Sequence, residues 1–115
     1  MSYLSLRQRL ESLRNSLWAE IETLQDDEVL LSADQATGAI HSLQVQRTLA
    51  AFGIRSVIEA AAKIERSLDR DKGAVNSNEK AEQLYEQTVS FAERVGASEL
   101  EEFRKTDREY QNALN

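Results

Sequence analysis

The chain has 115 residues, 41% of them hydrophobic and 30% charged, and its 14 basic and 20 acidic side chains leave a net charge of −6. This is the balance of one globular domain over residues 1–115, not of a disordered chain, and its acidity speaks against a nucleic-acid binder, which shows a basic face. There is no cysteine, hence no disulfide framework or thiolate chemistry, and with no proline and four glycines there are few residues to interrupt helices.

Leu6, Leu10, Leu13, Leu17 and Leu24 recur at helical spacing, and Tyr3, Trp18 and Ile21 widen the stripe. This predicts a first helix over about 3–25. Its leucines suit either a core or a dimer seam, so both a monomer and a homodimer are expected. Asp26, Asp27 and Glu28 mark the turn. Ser32-Ala33-Asp34-Gln35 has the form of a capping box opening a second helix that ends at Phe52, with Gly53 after it. That helix is apolar on two sides. Ala36, Ala39, Ile40, Leu43 and Ala50 form one face, and Val45, Leu49 and Phe52 the nearly opposite one.

A third helix over 54–70 carries Ile54, Val57, Ile58, Ala61, Ile64 and Leu68. Residues 74–77 read as a loop, with Asn76 and Glu79 at capping-box spacing before a fourth helix over about 77–95. Its expected buried residues are Ala81, Leu84, Tyr85, Phe91, Ala92 and Val95. Gly96 either stops it, so that a short fifth helix carries Leu100, Phe103, Tyr110 and Leu114, or merely bends it. The expected fold is therefore all-α, an up-down antiparallel bundle of about four helices. The N-terminus lacks an apolar run of signal-peptide length, and no stretch approaches the roughly 20 apolar residues of a membrane span. The expectation is a cytoplasmic protein with no membrane partner.

Chemistry has few footholds. Metal sites cluster His, Cys or carboxylates, and this chain has one His and no Cys. Glycine-rich phosphate loops and nucleophile motifs are absent. No metal, no cofactor and no enzymatic activity are expected. His41 is the one base available to a nucleophile, and its residue type alone fits an exposed helix histidine without a role.

The stretch from Phe52 to Glu65, FGIRSVIEAAAKIE, resembles the helix–glycine–helix centre of histidine-phosphotransfer (HPt) domains. Ile54, Val57, Ala61, Ile64 and Glu65 stand where that pattern places its apolar residues and its Glu after the glycine, and Ser32-Ala33-Asp34 resembles the lead-in to the active helix. The likeness covers roughly residues 17–95. It departs at the phospho-acceptor: counted back from Gly53 without a gap, Leu43, Gln46 and Arg47 stand at the places of the family's His, Lys and Gly. Counted from His41, Gln44 and Val45 take the Lys and Gly places, and two extra residues precede Gly53. Two residues turn a helix by about 200°, so the two registers expose different faces. The gapless register, which turns Val45, Leu49 and Phe52 inward, is preferred because insertions within a helix are disruptive.

The resemblance then implies a non-catalytic HPt-like signalling adaptor that docks a receiver domain or histidine kinase without phosphotransfer. Its expected docking face is Gln44, Arg47, Thr48, Phe52 and Arg55, beside His41, with the arginines suited to an acidic receiver pocket. An active phosphotransfer protein using His41 is one alternative. Another follows from the Leu-rich acidic run Leu24–Leu31 with Ile40, Leu43, Arg47, Leu49 and Phe52, which is similar to flagellar and type III export chaperones, whose C-terminal helix is often mobile.

Overall fold

The computed structural model describes residues 2–26 and 38–115. They form four helices and, among the described residues, no strand: α1 (Tyr3–Asp26), α2 (Gly38–Arg70), α3 (Lys72–Ser77) and α4 (Glu79–Leu114). The expected capping box at 32–35 lies outside the described residues. All-α packing holds, with different boundaries. The second and third expected helices are one rod of 33 residues, and the fourth and fifth are one rod of 36.

The physical reason is burial. Arg47, Ala50, Ala51, Ile54, Val57, Ile58, Ala61, Glu65 and Leu68 form one continuous inward line through Gly53. Val89, Ala92, Gly96, Phe103, Thr106 and Tyr110 do the same through Gly96. One glycine costs a helix about 1 kcal/mol, less than the burial of a single leucine recovers. Residues 74–77, expected as loop, belong to a short helix, Lys72–Ser77, whose Val75 is buried. The cap of α4 is Asn78 rather than Asn76. Its Oδ1 accepts from the Lys80 and Ala81 backbone N–H groups at 2.9 and 3.4 Å.

Contacts give the directions. Arg9 meets Glu86, Leu13 meets Gly96 and Glu20 meets Arg104, so residue numbers rise together along α1 and α4. Arg7 meets Glu65 and Asp69, and Arg47 meets Asp107, so α2 runs against both. The bundle measures 61 × 20 × 16 Å. Its core has two centres. One holds Leu17, Ile21, Ile54, Val57, Ile58 and Phe103, and the other Leu6, Leu10, Ala61, Leu68, Val75 and Val89. The leucine stripe of α1 is thus core: Leu6, Leu10 and Leu17 are at most 1% exposed.

Ion pairs lock the rods along their seams. The Glu65 carboxylate, buried on α2, receives Arg7 at 3.0 Å and Arg14 at 2.9 Å, both from α1. Arg9 of α1 bonds Glu86, Glu93 and Ser90 of α4. These bonds hold the Glu86 carboxyl below its ordinary pKa of 4.5.

Candidate functional site

A bundle buries the inward stripe of each rod and leaves a polar outer surface. α2 and α4 depart from this. Val45, Leu49 and Phe52 follow at steps of four and three, so they share one side of α2, and they are 43%, 62% and 56% exposed. Leu84 and Phe91, seven apart on α4, are 64% and 61% exposed. Isolated exposed apolar residues are ordinary, whereas an aligned set marks an interaction surface.

The expected docking residues fall into two groups. Thr48, Phe52 and Arg55 lie on this outward side with the exposed His41, and Gln44 is half-buried at its edge. Arg47 is a correction. It points into the bundle, 6% exposed, with Nε 2.8 Å from Asp107 Oδ1 and its guanidinium 4.8 Å from the centre of the Tyr110 ring. An arginine can be buried here because α4 supplies both a counter-charge and an aromatic face. Its burial also reverses the facing expected from the gapless register. Val45, Leu49 and Phe52 point outward, while Ala50 is buried and Ile40 and Leu43 are half-buried.

Toward the other end of the bundle from this stripe, the C-terminal half of α2 and the start of α4 flank an apolar groove of about 410 Å³. Ile64, Ser67, Ala81, Leu84, Tyr85 and Thr88 line it. At its end the Tyr85 hydroxyl donates to Asp71 Oδ2 at 2.6 Å. Burial, then this bond, pushes the Tyr85 pKa up to about 12. Arg70, then Tyr85, holds the Asp71 carboxyl below its ordinary value. The groove's walls are thus mostly apolar, with Lys63, Ser67 and Thr88 among them, and at this end Arg70, Asp71 and Tyr85 are paired with one another.

Sequence reasoning assigned Leu84 and Phe91 to the core and missed this groove. The signal was present: reading α4 as a single helix through Gly96 gives a complete inward stripe from Val89 to Tyr110, which leaves Leu84 and Phe91 outside it. Among the described residues no cluster of three or more His, Cys, Asp or Glu could hold a metal ion, and no helix is long and apolar enough to cross a membrane. No protein-family model, curated protein or solved structure matches the chain.

Proposed function

We propose that the protein is a non-catalytic docking module that acts by burying the outward face of α2 and α4 against another protein. The observation that carries this reading is the aligned, exposed stripe of Val45, Leu49 and Phe52 on a rod whose opposite side is fully packed. Burying such side chains contributes about 1.5–3 kcal/mol each, the scale at which a few anchors decide affinity. The HPt resemblance supplies the first partner classes to test, a receiver domain or a histidine kinase. The adaptor reading needs no phosphotransfer. Val45 stands one turn after His41, where small residues would admit an aspartyl-phosphate, and Gln44 offers no cation to stabilise the transferred charge.

The test pairs binding with chemistry. Leu49→Glu and Phe52→Glu should each abolish binding to a receiver domain that the wild-type chain retains on a column. Helix content should stay unchanged, since both positions are exposed. Incubation with an acetyl-phosphate-charged receiver should leave no acid-labile phosphate on the chain. A second reading, active phosphotransfer, is favoured by the exposure of His41 on the same side as the stripe. Label on the wild type that vanishes in His41→Gln would establish it and sink the non-catalytic one. The export-chaperone alternative would be favoured by a free C-terminal helix, whereas Phe103 and Tyr110 are each 2% exposed, which supports the adaptor.

A further inference from the structure

The stripe and the groove lie on the same side of the molecule, at opposite ends, and their spacing is self-complementary. Facing pairs on α2 and α4 set the scale: Val57 with Gly96, Gly53 with Glu99 and Arg47 with Asp107. By that scale Leu84 stands at the height of residue 69 of α2, and Phe91 at the height of residue 62. The groove thus centres near height 67, and the stripe's Val45 and Leu49 centre on 47. Midway is 57. Around the same height, Arg55 and Glu59, both exposed, stand two residues to either side.

We propose that a second copy of this chain covers the face, related by a twofold axis perpendicular to α2 at the height of residue 57. This rests on the reading that the face docks a protein and names its partner in the free state. About that axis Arg55 of each copy meets Glu59 of the other. Phe52 comes to the height of Phe91, and Val45 and Leu49 to the height of the groove. Helices packed at a crossing of about 20° drift sideways by roughly half an interhelix spacing over twelve residues. That drift carries Val45 and Leu49 from above α2 of the second copy into its α2–α4 groove. The paired face is about 45 Å long and two helices wide, or roughly 900 Å² per copy, the area that stable dimers bury. A closed twofold arrangement also satisfies both stripes and both grooves at once and leaves no apolar end to propagate.

Sedimentation equilibrium on the full chain tests this. The wild type is expected at twice its 13.0 kDa. Leu49→Glu and Leu84→Glu, both at exposed positions, should each give a folded monomer with unchanged helix content. Arg55→Glu alone and Glu59→Arg alone should each weaken the dimer about tenfold, because each replaces two opposite-charge contacts by two like-charge ones. An equimolar mixture of these two variants should regain wild-type association, since every 55–59 contact between unlike copies is again of opposite charge. A wild type that stays monomeric at all concentrations overturns the dimer. So does a dimer indifferent to Leu49→Glu and Leu84→Glu, or a mixture no tighter than its separate components. If the wild type is monomeric yet loses receiver binding on Leu49→Glu, the docking face stands and the second copy as its occupant falls.

Discussion

Two glycines, Gly53 and Gly96, lie in the interiors of the long rods, and their neighbours decide what each tolerates. A Cβ on Gly96 would sit 2.8 Å from Leu13 Cδ1 and 3.5 Å from Val57 Cγ1, in the middle of the core where all three rods meet. Gly96→Val should therefore destabilise by about 1–3 kcal/mol, read as a drop in urea midpoint at unchanged slope. At Gly53 the only obstacle is the carboxylate end of Glu99, which can swing away. Gly53→Ala should be neutral or stabilising by up to about 1 kcal/mol through helix propensity. Sequence reading ended a helix at Gly53 and left Gly96 as either a stop or a bend, because it weighed their breaking tendency without knowing what lay on either side. Neither has the positive φ that a glycine C-cap requires; among the described residues only Gly38 does, at φ 75°. Arg47 shows the same limit. Its residue type signals a surface, and only Asp107 and Tyr110, sixty residues on, make its burial tolerable. Glu65 was legible only as part of a family pattern, yet it is the anion between Arg7 and Arg14. Glu65→Ala should cost roughly 2–3 kcal/mol, discounted from the full cost of breaking a buried pair because both arginines keep some water.

At the level of elements, the leucine stripe of α1 was legible, since its spacing has one solution, but Trp18, expected to widen that stripe, is 40% exposed and lies outside it. α2 was not legible, because it is apolar on two sides and only the packing of α1 and α4 shows which side is core. The joints between elements are largely ionic, and this gives them a pH dependence of definite sign. Glu86, with its pKa lowered chiefly by the Arg9 hydrogen bond, contributes stability that is present above its ordinary value of 4.5 and is lost as pH falls through its lower folded-state value. Asp71, lowered by Arg70 and Tyr85, acts in the same direction. Tyr85 acts at the other extreme. Its raised pKa contributes stability that is present below about 10 and is lost as pH rises through about 12. The urea midpoint should therefore fall below about pH 4 and again above about pH 10. Glu86→Gln should flatten the acid limb, and Tyr85→Phe should flatten the alkaline one. Limbs unchanged in these variants would assign the pH dependence to other groups.

The whole molecule is a rod 61 Å long with two well-filled core centres and an outer face that is apolar where solvent would favour charge. Its class was readable from the sequence. Its exposed apolar face was less readable: Thr48 and Arg55 are exposed as expected, but Phe52, which the preferred register turned inward, is exposed as well, and the groove across α4 needed the antiparallel pairing of two helices whose sequences say nothing of each other. The chain offers a direct probe of that face, because its only three phenylalanines are Phe52 and Phe91, both outward, and Phe103, 2% exposed in the core. Fluorine NMR on the full chain labelled with fluorophenylalanine should give three signals, and the shift of each between light and heavy water reports its contact with solvent. At high dilution the signals of Phe52 and Phe91 should show that solvent shift and Phe103 should not. As concentration rises, or on adding a partner that binds, Phe52 and Phe91 should lose the shift together while Phe103 stays constant. A solvent shift that persists at Phe52 and Phe91 at every concentration and with every bound partner would contradict the docking face.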